Sequence, residues 1–138
     1  MTSDKLETNA RDGIATMERE HALEIRIVRE LQEALSAGDL AAADTLFQRL
    51  EELTEAHFLA EQLLMRLHAY PAYAAHQEEH DRLIAELRDL RGSVGSAEPA
   101  DRLAAVARLE RWLHAHMQSE DVALTDFLRL GPAGAAEG

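Results

Sequence analysis

The residues of this chain best suited to chemistry are histidines and carboxylates set one helical turn apart. His57 and Glu61 stand at i and i+4, as do His76 and His80, and His116 is followed by Glu120 at i+4 and Asp121 at i+5. His21 stands alone. Side chains four apart on a helix leave the same face from adjacent turns, so each pair can offer two donor atoms to one point. There are no cysteines among the 138 residues. Disulfides, thiolate metal sites, iron–sulfur clusters and cysteine nucleophiles are excluded together. Nitrogen and oxygen donors remain for any metal.

The elements that must carry these residues are helices. Glycines and prolines leave four uninterrupted segments, roughly 14–37, 39–70, 72–91 and 100–130, rich in Ala, Leu, Glu and Arg. These are good helix formers. Asp12 and Asp39 suit the caps of the first two helices, and Pro99 suits the first turn of the fourth. The opening dozen residues and the closing Gly-Pro-Ala-Gly stretch read as mobile termini.

Apolar residues recur in steps of three and four, which predicts the inward seams. The first is Ile14, Met17, His21, Glu24, Val28, Leu31 and Leu35; the second is Ala43, Phe47, Leu50, Thr54, His57, Glu61, Leu64 and His68. The third is Tyr73, His76, His80, Leu83, Leu87 and Leu90; the fourth is Val106, Leu109, Leu113, His116, Glu120, Ala123 and Phe127. Four such helices on short connections make an all-α, up-down-up-down four-helix bundle. One domain is expected over 1–138, its bundle at about 14–130, with no internal repeat.

Histidines and carboxylates sit mid-helix on every seam. Isolated ionisable groups there cost several kcal/mol each unless paired or bound to metal. Five imidazoles (His21, His57, His76, His80 and His116) and at least two carboxylates exceed one ion's needs. Two ions bridged by carboxylates account for them better. Imidazole suits zinc, copper, iron or nickel, and the carboxylates favour harder first-row ions, so a dinuclear iron site is the natural reading. His68, near a helix end, and His114, two residues before His116, read as bystanders. Glu51-Glu52 and Glu78-Glu79 read as solvated helix faces.

With 26 acidic residues against 14 Lys plus Arg, the net charge of −12 argues against a nucleic-acid partner. No apolar run approaches the roughly 20 residues of a membrane span. The polar N-terminal stretch lacks a signal peptide's apolar core, so a cytoplasmic location is expected.

In combination these motifs resemble the hemerythrins, specifically the bacterial single-domain hemerythrins, over about residues 14–128. The motifs are a lone His21, His57-Phe58-Leu59-Ala60-Glu61, Leu64-Met65, Tyr70-Pro71, His76 to His80, and Trp112-Leu113-His114-Ala115-His116 through Asp121. The resemblance implies that His76, His80 and His116 hold one iron and that His21 and His57 hold the other, which keeps an open position. It implies that Glu61 and Asp121 bridge the two irons together with an oxo or hydroxo group. Asp121 rather than Glu120 matches the family spacing, although Glu120 has the better i+4 geometry. Dioxygen is the ligand the family binds, reversibly and as hydroperoxide; peroxide and nitric oxide also suit such a site. Trp112 and Met117 are expected to wall the oxygen pocket. No electron donor is indicated.

Glu24 departs from the family pattern, which usually places a pocket-lining leucine there. Three readings stand open. Glu24 could occupy the vacant iron position, hydrogen-bond or donate a proton to bound peroxide, or tilt to solvent with Ile25 taking the seam. The first two favour an oxidase, peroxidase or catalase-like enzyme over oxygen storage, carriage or sensing, through general acid catalysis or ligand exchange. A metal-responsive interaction module and a zinc-bound structural bundle are further alternatives.

Overall fold

The computed structural model describes residues 3–137, with side chains described for Lys5 and residues 8–130. Helix α1 spans Ser3–Ser36, α2 Leu40–Leu67 and α3 Tyr73–Ser93. The fourth rod consists of α4 (Pro99–His116), a single π-helical turn (Met117–Asp121) and α5 (Val122–Glu137). Helix α1 packs against both α2 and the fourth rod, and α2 packs against α3. The architecture is the expected helical bundle, and among the described residues no helix is long and apolar enough to cross a membrane.

The connections are tight because local hydrogen bonds close them. After α1, Gly38 adopts φ 72°. Its N–H donates to Leu35 O (3.1 Å) while Asp39 N–H donates to Ala34 O (2.9 Å), a Schellman closure that suits glycine. Asp39 then caps α2, its Oδ1 accepting from Ala42 N at 3.1 Å. The same closure ends α2, with Ala69 N–H to Arg66 O (3.2 Å) and Tyr70 N–H to Met65 O (2.8 Å). Here an alanine, Ala69, takes the left-handed φ of 53°. Pro99 opens α4 as expected.

Two expectations change. Helix α1 begins at Ser3, so Asp12 lies inside the helix rather than capping it. Gly13 is no boundary: a Cβ there would lie 2.6 Å from Leu64 Cδ1, so the residue lets α1 and α2 approach closely. The fourth seam also shifts by one residue. Asp121, Leu124 and Leu128 are buried, whereas Ala123 is exposed and Glu120 only half-buried. The π turn causes this, because it inserts one extra residue per turn. On the second seam Met65 is buried, while Leu64 and His68 are half-buried. The termini expected to be mobile are instead largely helical, the first from Ser3 and the tail after Leu130 as far as Glu137; Met1, Thr2 and Gly138 lie outside the described residues.

The apolar core is split in two. One cluster joins Ile27, Val28, Leu31, Leu35, Phe47, Leu50, Leu83, Leu87, Val106, Leu109 and Leu113. The other joins Ala10, Ile14, Met17, Met65, Leu124, Phe127 and Leu128. Between them along each rod lies a layer of histidines and acids. A left-handed alanine costs about 1–2 kcal/mol, partly offset in glycine by its greater chain entropy. Ala69→Gly should therefore raise stability by about 0.5–1 kcal/mol, measured by urea denaturation; a loss would disprove the strain at this turn.

Candidate metal centre

Seven buried or half-buried side chains converge between the two apolar clusters. Helix α1 contributes His21, α2 His57 and Glu61, α3 His76 and His80, α4 His116, and the π turn Asp121. Their donor atoms form two sets, each lying within 4.8 Å: Glu61, His76, His80, His116 and Asp121 in one, and His21, His57, Glu61 and Asp121 in the other. The two carboxylates belong to both.

Each carboxylate divides its oxygens between the sets. Glu61 Oε1 lies 3.0 Å from Nε2 of both His76 and His80, while its Oε2 lies 3.1 Å from His57 Nε2. Asp121 Oδ1 lies 3.3 Å from His76 Nε2 and 3.2 Å from His116 Nε2, while its Oδ2 lies 2.8 Å from His21 Nε2. Donors about 2.1 Å from one ion and at right angles stand about 3.0 Å apart. Many of these close approaches are not hydrogen bonds. Nε2 of His21, His57, His80 and His116, Glu61 Oε2 and both Asp121 oxygens are buried without a hydrogen-bond partner. Buried donor atoms this close together, without hydrogen bonds of their own, fit bound cations.

The π turn decides which acid takes part. In an α-helix Glu120 would follow His116 on the same face; with i→i+5 geometry Asp121 takes that direction instead. Glu120 stays outside both sets.

Ring orientation is held from behind. His57 Nδ1–H donates to Glu20 Oε2 at 2.7 Å, and His116 Nδ1–H donates to Glu79 Oε2 at 3.0 Å. Sequence reasoning assigns no role to Glu20, and Glu79, expected on a solvated face, is half-buried and braces His116 instead. The available signal was a repeated Glu-His dipeptide, Glu20-His21 and Glu79-His80, with each acid reaching a histidine 37 residues later. Phe58 stacks flat on His80 (3.6 Å, 1°), and Trp112 lies flat on His116 (5.0 Å, 9°). Trp112 and Met117 are half-buried against the larger apolar cluster.

No internal repeat is expected from the sequence, yet the halves of the chain carry the site in one register, a faint repeat. Glu20, His21, Val28, Leu50 and His57 correspond at a constant offset to Glu79, His80, Leu87, Leu109 and His116. At that offset His76 corresponds to Met17, which gives one set its third imidazole. Leu83 corresponds to Glu24.

Glu24 is buried at 1% exposure, with Oε1 unpartnered, and Ile25 is half-buried. The solvent-facing reading is therefore overturned. His68 caps the end of α2 outside both sets, and the partly exposed His114 pairs with Glu110 at 3.7 Å.

The electrostatics of the polypeptide alone show how strongly the cluster wants positive charge. Burial pulls His57 down, but the close approach and charge of Glu61, 3.1 Å away, then the charges of Glu24 and Asp121, raise its pKa to about 10. Burial likewise opposes His76, and Asp121 with Glu61 raises it to about 9. Burial would lift Glu61 and Asp121, yet the surrounding imidazoles hold both well below the ordinary carboxylate range. Burial carries Glu24 up to about 7, against the pull of His57 and His21. Burial lowers His80 despite Glu61.

Two outcomes follow from this environment. Protons on His57 and His76 stabilise the chelator-stripped protein below the ordinary histidine value of 6.5. That contribution is lost as pH rises through about 9 and about 10. Urea denaturation should show the stripped protein losing stability over this alkaline window, and the metal-loaded protein much less, because ions there replace protons. A flat profile for the stripped protein would contradict the arrangement. Glu20→Gln and Glu79→Gln should each weaken metal binding roughly 10–100-fold in chelator competition; unchanged affinity would mean the glutamates do not orient the ligands.

Comparison with known proteins gives the same picture from a different direction. Residues 12–128 match the family model described as Hemerythrin HHE cation binding domain. The bacteriohemerythrin of Stenotrophomonas maltophilia is 29% identical over 115 residues, covering 83% of this chain and 74% of the relative. That of Pseudomonas aeruginosa is 26% identical over 118 residues, covering 85% and 76%. That of Aquifex aeolicus is 33% identical over 78 residues, covering 56% and 60%. No solved structure matches the chain significantly. The folded helices, the converging imidazoles and carboxylates and the match across most of the sequence have one explanation: the chain belongs to the hemerythrin family.

Proposed function

We propose that this protein is a non-haem diiron protein that binds dioxygen, for storage, carriage or sensing. His76, His80 and His116 hold one iron, His21 and His57 hold the other, and Glu61 and Asp121 bridge them. The observation that carries this reading is the unequal division of donors: three imidazoles face one set, two face the other, and each carboxylate gives one oxygen to each. When bound there, an iron pair would supply two electrons and a place for a diatomic ligand.

The chain's own residues govern what reaches that position. Five imidazoles and two carboxylates suit first-row ions harder than a thiolate site would take. Glu20 and Glu79 fix two ring planes and raise the basicity of those imidazoles. Apolar clusters on both sides keep bulk water from the layer. Trp112 and Met117 form part of the wall around the small ligand. One domain, working in the cytoplasm, is the simplest setting for it.

A second reading is favoured by one observation, the buried carboxylate of Glu24. An acid beside the open iron suits an oxidase or a peroxide-decomposing enzyme, because it can move a proton to a bound oxygen species.

Anaerobic metal analysis followed by an oxygen difference spectrum tests the proposal. About two irons per chain, and an oxygen-dependent charge-transfer band that disappears under vacuum, is the expected result. Zinc in place of iron would sink the diiron reading. A band that decays with oxygen consumption would favour the enzyme.

A further inference from the structure

We infer that Glu24 is a displaceable protein ligand to the ion held by His21 and His57, so that a small molecule reaching this ion must compete with a resident carboxylate. The inference rests on the diiron reading above and adds to it what guards the open position.

Position is the first support. Glu24 follows His21 by three residues on α1, so both side chains leave the same face one turn apart. It is 1% exposed, and its Oε1 is buried with no hydrogen-bond donor. A buried, unpartnered carboxylate oxygen is costly unless a cation or donor meets it. The charged groups acting on Glu24 are His57, His21, Glu61 and Asp121, the same four that make up the two-histidine set.

Donor count is the second support. The three-histidine set offers three nitrogens and two bridging oxygens, whereas the other offers two nitrogens and two oxygens. At the equivalent place in the second half of the chain stands Leu83, which is buried and apolar. The acid thus occurs only on the side that is short of a donor. Glu24 is not among the atoms that lie within 4.8 Å of one another. It would therefore reach the ion by a swing of its own side chain, which makes it displaceable rather than permanent.

Azide titration of the diferric protein, read from its charge-transfer absorption, tests this with Glu24→Leu and Glu24→Asp beside the wild type. If Glu24 holds the position in more than about nine molecules of ten, it weakens azide binding by about tenfold or more. Glu24→Leu removes both charge and ligand. Glu24→Asp keeps the charge but is one methylene too short to reach. Both variants should bind azide about tenfold or more tightly than the wild type. Wild-type affinity in Glu24→Asp beside tighter binding in Glu24→Leu would assign the effect to charge alone and overturn the inference. Wild-type or weaker affinity in Glu24→Leu would overturn it as well. Metal content separates this failure from the larger one. Two irons per chain with unchanged azide affinity removes only the role of Glu24, whereas a wild-type chain that takes up no iron pair removes the diiron reading itself.

Discussion

Concentrating imidazoles and carboxylates in the middle of a bundle sets the terms for everything around them. Donor atoms about 3 Å apart, most of them shielded from water, have lost their hydration and most lack hydrogen bonds to replace it. The polypeptide alone answers with protons, holding His57 and His76 charged against Glu61 and Asp121. Bound cations would answer the same deficit more fully. The long helices, the apolar clusters on either side and the tight closures at Gly38 and Ala69 keep that layer level across four rods.

Asymmetry within a near-repeat gives the site its chemical direction. Both halves of the chain bring a Glu-His dipeptide and a distant partner histidine in the same register. Two of the inward positions at which the halves diverge bear directly on the donor count. His76 against Met17 gives one focus a third imidazole, and Glu24 against Leu83 gives the other a buried acid. One set therefore has three imidazoles and the other two, with the buried Glu24 one turn from His21. Flat stacking of Phe58 on His80 and Trp112 on His116 stiffens the well-supplied side. The open side depends on α1, where His21 is only half-buried.

Much of this was legible because helices convert spacing into direction. Residues four apart share a face, so His57 with Glu61 and His76 with His80 could be paired before any tertiary contact was known. Most of the inward seams of α1 to α3 could be read the same way, that of α2 as far as Glu61, and so could Asp39 and Pro99 at the helix starts. The reading failed where local geometry left the 3.6-residue period. On the fourth rod strict periodicity pointed to Glu120 and Ala123, and the π turn substituted Asp121 and Leu124. It also failed across helices. The Glu-His dipeptide marks Glu79 out from Glu78, but nothing local shows that it braces His116, 37 residues away.

The sequence by itself determined the helices, the polar layer and the donor chemistry, because residue type and period are local properties. Only the tertiary structure decided how the donors are shared. The assignment of one carboxylate oxygen to each focus depends on the distance between rods, and so do the bracing of His57 by Glu20 and the complete burial of Glu24. Those distances are set by side-chain packing between segments far apart in the chain, which no single-helix pattern encodes.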